Sequence, residues 1–300
     1  MTRIPPPGPH GGDGVAVALA LGVDPADVLD LSLSLNPFAP DVGALVARHL
    51  DAVRRYPDRR SATPLVAEAF GVDPDRLVLT NGGSEAIALV ARSLGGRVAG
   101  EPEFSLHPRG ADGPTWRSNP HNPTGLLAGP EVRVDVWDEA FYPLATGAWT
   151  RRDVGTVVVG SLTKVFACPG LRIGYVLADD VARLTSGQPA WPLNGLALAV
   201  LPELLAAADL PRWQVEIAAR RAELVRLLER HGLAVDAADG PWVLAERVLA
   251  GAPDLRDRLA RHGVVVRDCG SFGRPGQVRI AVPDDAGMTR LEEVLPCAVP

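Results

Sequence analysis

The sequence has almost no lysine. Lys164 is the only lysine in 300 residues, and the rest of the combined total of 30 lysines and arginines are arginines. Arginine keeps its proton at any accessible pH, whereas the amine of lysine can lose its proton and act as a nucleophile. Lys164 therefore indicates chemistry that needs a free amine, with a Schiff base as the leading candidate. The alternative is the chance survival of one lysine in an arginine-biased composition.

Cysteines, long apolar runs and excess positive charge are also scarce, and each scarcity argues against a class of protein. The three cysteines have neither metal-ligand spacing nor a disulfide framework, which fits a reducing cytoplasm. The polar, proline-rich start MTRIPPPGPHGGDG is unlike a signal peptide, and no apolar run could span a bilayer. The net charge of -6 argues against nucleic acid or an anionic membrane as partner. We expect a soluble cytoplasmic protein.

The order of elements predicts an α/β fold with a mostly parallel sheet. A β-type run, LVLT (77–80), enters a Gly-Gly turn and an apolar-periodic helix, and later strands end in WDEAF (137–141) and SLTK (161–164). After residue 205 a long amphipathic helix is followed by a strand, a helix and two strands, which is typical of a small α+β module. We therefore expect an N-terminal arm (1–40), a large domain (41–205) and a small C-terminal domain (206–300).

Several short motifs carry groups that could act on a ligand. In NGGSEA (81–86), glycines, a serine hydroxyl and the start of a helix could cradle a phosphate, although such turns are common. Asp138 closes an apolar strand, at the end where ligands bind in α/β sheets, although a solvated loop acid is the plainer interpretation. Arg279 lies inside the apolar strand VRIAV (278–282), where burial requires an anionic partner. SNPHNPTG (118–125) could be only a loop.

The order and spacing of NGGSEA, HNPTG, DEAF, SLTKVFACPGLRIGY and VRIAV resemble the fold type I pyridoxal-phosphate enzymes of the class I/II aminotransferase group. The resemblance implies that Lys164 holds pyridoxal 5'-phosphate as a Schiff base and that Asp138 pairs with the nitrogen of its ring. It implies cofactor contacts for the following residues: Gly83, Ser84, Ser161 and Arg172 at the phosphate, Asn122 at the 3-oxygen, and Phe104 stacked on the ring. Tyr56 would reach the cofactor phosphate of a neighbouring subunit, which implies a homodimer, and Arg279 would bind the substrate carboxylate.

Within this group the sequence is similar to two subfamilies, histidinol-phosphate aminotransferase and the L-threonine-O-3-phosphate decarboxylase of cobalamin biosynthesis. PHGGD resembles the N-terminal motif of the decarboxylase and places His10 near the substrate phosphate. SLSLNP (32–37) resembles its S-x-N-x-NP pattern, with Ser34 in place of an asparagine, and adds Asn36 to the substrate-binding residues. Phe141 stands where most of the aminotransferases have tyrosine. These features favour a lyase that acts on a phosphorylated amino acid, with the aminotransferase as the alternative.

The middle of the chain is shorter than the resemblance implies. Between Phe104 and Asn119, and again between Gly125 and Asp138, the sequence leaves no room for the usual helix. The large domain is therefore expected to be trimmed between residues 105 and 137. This trimming motivates a third hypothesis, a catalytically reduced scaffold protein that still binds pyridoxal phosphate.

Overall fold

The computed structural model describes residues 3–152, 155–247 and 255–299 of the chain. Its strands, in chain order, are β1 (Leu29–Asp30), β2 (Leu77–Asn81), β3 (Arg97–Val98), β4 (Thr115–Ser118), β5 (Val136–Asp138), β6 (Val157–Ser161), β7 (Ile173–Leu177), β8 (Leu233–Ala237), β9 (Trp242–Arg247), β10 (Val264–Val265), β11 (Arg267–Asp268) and β12 (Val278–Ala281). Its α-helices are α1 (Gly14–Leu21), α2 (Val42–Arg48), α3 (Ala62–Phe70), α4 (Gly82–Leu94), α5 (Tyr142–Thr146), α6 (Leu162–Val165), α7 (Val181–Thr185), α8 (Gly195–Ala206), α9 (Leu210–Arg230), α10 (Leu255–Ala260) and α11 (Asp285–Ala298).

The central sheet has the strand order β2-β7-β6-β5-β4-β3. Strand β7 runs antiparallel to both of its neighbours, and the remaining strands all point the same way. Ser118, Asp138 and Ser161, which end β4, β5 and β6, therefore lie along one edge of the sheet. This is the edge at which α/β sheets bind ligands. The predicted α/β fold with a mostly parallel sheet is confirmed.

Strand alternation explains how this sheet is buried on both faces. Neighbouring residues of a strand point to opposite faces, and in β2, β6 and β7 both residues of such a pair are apolar and buried. Leu79, Val158 and Tyr175 pack with helices α3 and α8, whereas Val78, Val159 and Val176 pack with α4 and α7. The sheet is thus the middle layer of three.

A second, antiparallel sheet has the strand order β11-β12-β9-β8 and packs against α9, α10 and α11. Leu224, Leu227 and Leu228 of α9 lie in this second core, but Trp213, near the start of the same helix, lies in the core of the central sheet. Helix α9 therefore contributes side chains to the cores of both sheets. A domain boundary between residues 205 and 206 remains a prediction.

The N-terminal segment is attached to the C-terminal part of the chain. Strand β1 pairs in parallel with β10, and Ile4 and Val17 pack on Val265. The buried guanidinium of Arg267 donates to the carbonyls of Gly8 and Pro9, at 2.7 and 2.5 Å. These contacts hold residues 4–30 beside the second sheet and place them over the edge where the central strands end.

Neither connection in the trimmed region contains a helix: residues 99–114 join β3 to β4, and residues 119–135 join β4 to β5, as irregular chain. Parallel neighbours usually need a helical crossover, so another device must order the first connection. Arg109 supplies it. Its guanidinium donates to the carboxylate of Glu101 at 2.9 Å, and to the carbonyls of Glu103 at 3.1 Å and His107 at 2.6 Å.

Candidate functional site

A cavity of about 220 Å³ opens at the carboxyl edge of the central sheet. It brings together all of the predicted site residues except Asn36 and Tyr56: His10, Gly83, Ser84, Phe104, Asn122, Asp138, Ser161, Lys164, Arg172 and Arg279. Four of these carry cationic or titratable nitrogen groups and only one is an acid, so the cavity suits a ligand with more than one anionic group.

Lys164 reaches this cavity from the short helix α6, which directly follows β6. Its amine donates to the carbonyl of Leu33 at 3.3 Å and lies 5.9 Å from the centre of the Phe141 ring. Burial, and secondarily the positive charges of Arg279 and Arg172, lowers the pKa of Lys164 to about 8. A sizeable fraction of the amine is therefore unprotonated near neutral pH, which is the form that attacks a carbonyl carbon.

The turn from β2 into α4 forms one end of the cavity. Gly83 and Ser84 lie in the first turn of this 13-residue helix, where backbone N–H groups have no partner inside the helix. Gly82 has a φ of 71°, and a Cβ there would lie 2.4 Å from Nη2 of Arg172. The hydroxyl of Ser161 lies on the same side, 2.6 Å from that of Thr163. Amides, hydroxyls and a guanidinium together are a donor set that suits a phosphate.

Asp138 lies away from this turn, at the end of β5, and is 8% exposed. One oxygen of its carboxylate accepts from the backbone N–H of Ala140 at 3.0 Å, and the other lies 3.0 Å from Nε2 of His107. Nδ1 of His107 is 3.6 Å from Oε2 of Glu103. Neither His107 nor Glu103 was among the site residues predicted from the sequence. The available signal was their four-residue separation in EPEFSLH.

Arg279 enters from β12 and is buried. Its Nη1 donates to Oδ1 of Asn122 at 2.8 Å, and its guanidinium lies 4.8 Å from the centre of the Trp242 ring. Its Nε has no partner within the described ranges. Burial lowers the pKa of Arg279 to about 10, so the group is still a cation at neutral pH. A buried cation at a cavity wall is a ready site for a carboxylate or phosphate.

His10 and Phe104 flank the outer part of the cavity. Nδ1 of His10 lies 3.2 Å from the hydroxyl of Ser105, and the rings of His10 and Phe104 meet edge to face at 5.7 Å. Burial, and secondarily the charge of Arg267, lowers the pKa of His10. Because Ser105 contacts Nδ1, Nε2 is the nitrogen of His10 that remains for a ligand.

Asn36 is not among the residues that line the cavity, and its role in substrate binding remains a prediction. Its side chain donates to the carbonyl of Val165 at 2.9 Å and accepts from the backbone N–H of Phe38 at 3.0 Å. Its own backbone N–H donates to the carbonyl of Lys164 at 3.0 Å. Since both polar ends of the side chain are used within the protein, Asn36 supports the segment that carries Lys164.

Tyr56 lies outside the cavity, 79% exposed and stacked on Trp191 at 4.6 Å. Its predicted partner is a second subunit, so its role remains a prediction. Among the described residues, no group of His, Cys, Asp and Glu is arranged to hold a metal ion. None of the described helices is long and apolar enough to cross a membrane.

The chain is similar to known proteins both in sequence and in fold. The family model described as aminotransferase class I and II matches residues 116–295. The chain is 29% identical to histidinol-phosphate aminotransferase 1 of Dechloromonas aromatica over 340 aligned positions, covering 93% of this chain and 92% of the relative. The alignment is longer than the chain of 300 residues, so the relative has segments without a counterpart here.

Two solved structures share the fold. One is the histidinol-phosphate aminotransferase of Sinorhizobium meliloti in complex with pyridoxal-5'-phosphate, with a TM-score of 0.77 and 18% identity over 95% of this chain and 94% of that one. The other is the L-threonine-O-3-phosphate decarboxylase of Porphyromonas gingivalis, with a TM-score of 0.70 and 20% identity over 90% of this chain and 98% of that one.

Proposed function

Because the chain belongs to the class I and II aminotransferase family of pyridoxal-phosphate-dependent enzymes, we propose that its cavity binds pyridoxal phosphate at Lys164 and acts on a phosphorylated amino acid. The fold type I architecture expected from the motif order is confirmed by the same comparisons. The single observation that carries the proposal is the convergence of Lys164, Asp138, Arg172 and Arg279 on one cavity.

The residues present fit this cofactor. The unpartnered N–H groups at the start of α4, together with Ser84, Ser161 and Arg172, form the donor set that a phosphate requires. Asp138 supplies an acid for the ring nitrogen, and Asn122 keeps its amide N–H₂ for the 3-oxygen, since its carbonyl accepts from Arg279. When bound, pyridoxal phosphate supplies an aldehyde for an amine and a ring that accepts the electrons of a broken bond.

The protein's own residues would then orient the substrate and move a proton. Arg279 pairs with the substrate carboxylate through its guanidinium, and Nε2 of His10 donates to the substrate phosphate. In its protonated form Lys164 would deliver a proton from Nζ to the α-carbon and become a neutral amine, and its lowered pKa makes it a stronger proton donor. Phe104 and Phe141 contribute apolar walls that limit the access of water.

We favour decarboxylation of the threonine-phosphate type because the cavity offers two anion contacts apart from the one at Arg172. These are Arg279 and His10, and threonine phosphate has both a carboxylate and a phosphate. Histidinol phosphate has a single anionic group. The second candidate, transamination of the histidinol-phosphate type, is supported by the sequence similarity to aminotransferases of that name over nearly the whole chain.

One experiment separates these reactions. The full-length chain loaded with pyridoxal phosphate is incubated with L-threonine O-3-phosphate or with histidinol phosphate, and carbon dioxide and the absorbance of the cofactor are followed. We expect carbon dioxide from threonine phosphate, and none from Lys164→Ala. Conversion of the cofactor to its amine form by either substrate would favour transamination, and an unchanged spectrum with both would favour the scaffold hypothesis.

Assembly and location follow from the same proposal. A homodimer in which Tyr56 reaches the phosphate site of the partner is consistent with the exposure of that side chain. The cytoplasm is the proposed location, because a reducing compartment suits the free cysteines Cys168, Cys269 and Cys297.

A further inference from the structure

The buried imidazole of His107 lies between two carboxylates, those of Asp138 and Glu103. The side chains of His107 and Glu103 are 0% and 1% exposed, and that of Asp138 is 9% exposed. Nε2 of His107 lies 3.0 Å from Oδ2 of Asp138, and Nδ1 lies 3.6 Å from Oε2 of Glu103. Within the described residues, Nδ1 has no hydrogen-bond partner.

Hydrogen-bond polarity limits where protons can be in this row. A neutral imidazole has one N–H and one lone pair. If Nε2 donates to Asp138, the lone pair of Nδ1 faces the carboxylate of Glu103; if Nδ1 carries the proton, the lone pair of Nε2 faces Asp138. Both arrangements bring a lone pair against an oxygen anion in a buried site, where such contacts are costly. Asp138, His107 and Glu103 together therefore hold one more proton than a neutral imidazole provides.

The contacts of Glu103 indicate where that proton lies. Its Oε1 accepts from the backbone N–H of Ser118 at 2.9 Å. Its Oε2 accepts from the hydroxyl of Ser118 at 2.7 Å and from the backbone N–H of Phe104 at 3.2 Å. Three donors aimed at one carboxyl group favour its ionised form. Asp138 also accepts a backbone N–H, that of Ala140, which favours its ionised form in the same way. With both carboxyl groups ionised, the extra proton is assigned to the imidazole.

We propose that Glu103 is a positioning residue that keeps both ring nitrogens of His107 protonated, so that His107 donates permanently to Asp138. The benefit for the site rests on the proposed function, in which Asp138 must stay ionised opposite the ring nitrogen of the cofactor. A cationic imidazole at 3.0 Å favours the ionised carboxylate and fixes its orientation together with the N–H of Ala140. The other lone pairs of Asp138 are left for the cavity.

The surrounding charges do not replace this role. His121 has its Nε2 3.9 Å from Oε1 of Glu103, but that nitrogen lies 2.8 Å from the carbonyl of Pro102, and its Nδ1 lies 2.7 Å from the hydroxyl of Thr124. The guanidinium of Arg109 bonds the backbone carbonyls of Glu103 and His107 and the carboxylate of Glu101. In the described part of the chain, neither lysine nor arginine forms a salt bridge with Glu103.

The protonation of His107 can be read directly by NMR, without cofactor. The full-length chain, labelled with ¹⁵N in its histidine rings, is examined at pH 8, where a free histidine is neutral. We expect one histidine, assigned by its loss in His107→Gln, to carry protons on both ring nitrogens, and to carry only one in Glu103→Gln. Glu101→Gln, a neighbouring carboxylate in the same loop, should leave the signal unchanged. A singly protonated ring in the unsubstituted chain would overturn the proposal and leave the proposed function untouched.

A double-mutant cycle then tests the effect on the site. Glu103→Gln should weaken the affinity for pyridoxal phosphate, measured by absorbance titration, about tenfold in the otherwise unchanged chain. In the His107→Gln background the same change should have less than about a twofold effect, because the amide of glutamine donates to Asp138 without a second proton. Equal losses in both backgrounds would show that Glu103 acts only through Ser118, and the proposal would be wrong. Absence of cofactor binding by the unsubstituted chain would instead count against the proposed function.

Discussion

At the scale of single residues, the environment of Lys164 matters more than its rarity. Its amine is buried beside two arginines, and its hydrogen bond is to the carbonyl of Leu33. Asp30 and Asp138 oppose the shift but do not outweigh burial. The charged amine is therefore less stable inside the folded protein than in the unfolded chain, which lowers the free energy of unfolding while the amine is protonated.

This cost gives a prediction about stability and pH in the chain without cofactor. The pKa of Lys164 is about 8 when folded and 10.5 in its ordinary state, so between these values the unfolded chain binds more protons and stability from this group rises with pH. Lys164→Met should raise the free energy of unfolding by about 3 kcal/mol at pH 7, and the gain should vanish towards pH 10.5. Urea denaturation of both chains at a series of pH values measures this difference.

Taking the difference in unfolding free energy between the two chains at each pH cancels the contributions of the other titrating groups. Burial raises the pKa of Cys168 to about 12 and that of Cys269 to about 11, which weakens the fold at alkaline pH in both chains equally. A difference in unfolding free energy that does not change with pH would contradict the buried setting of the amine.

At the scale of elements, the site depends on how closely β7 approaches the turn that begins α4. A Cβ on Gly174 would lie 2.3 Å from the backbone carbon of Gly82, with no flexible side chain to give way. Strand β7 can therefore pass under the turn only with glycine at this position. This contact limits how far Arg172, two residues before Gly174, can lie from the turn that begins α4.

We therefore expect Gly174→Ala to lower the free energy of unfolding by about 2 to 3 kcal/mol, because backbone must move to admit the methyl group. Gly170→Ala is the matched control: no atom lies within 4 Å of the added Cβ, and its change should stay within about 0.5 kcal/mol. Chemical denaturation of the three chains measures both effects. Similar stability of the two variants would mean that the turn is not packed as described.

The elements also show what could be predicted from the sequence. Asp138 and Lys164 were predictable because each follows a buried strand, and parallel strands end at one edge. Glu103 and His107 were not, because the connection from β3 to β4 has no periodicity and is ordered by contacts between Arg109 and backbone carbonyls. Similarly, the sequence showed that α9 has an apolar face. It did not show which core each residue of that face would enter, and Trp213 enters the core of the central sheet.

At the scale of the whole molecule, several large apolar side chains are exposed at the surface. Tyr56 and Trp191 stack on each other although they are 79% and 58% exposed, and Leu50 and Val53, just before Tyr56 in the chain, are also exposed. Apolar side chains clustered in this way are typical of surfaces that contact another protein. A second copy of the chain is the partner expected from the proposed homodimer.

The corresponding prediction is that the chain sediments as a dimer and that Trp191→Arg raises its dimer dissociation constant by at least about tenfold. Analytical ultracentrifugation measures this constant. Val215→Arg, on α9 and 63% exposed, introduces the same charge at another apolar surface position and should leave the dimer intact. A monomeric unsubstituted chain would rule out the contribution of Tyr56 to a neighbouring site.

The pairing of β1 with β10 has a consequence for biosynthesis. The segment that supplies His10 and Leu33 to the cavity precedes the central sheet in the chain, yet it is anchored by β10, Val264–Val265, which follows that sheet. A nascent chain can therefore form the central sheet, with Lys164 exposed, before the strand that holds the N-terminal segment over the cavity has been synthesised. The cavity around Lys164 is therefore complete only after Val264 and Val265 have been synthesised.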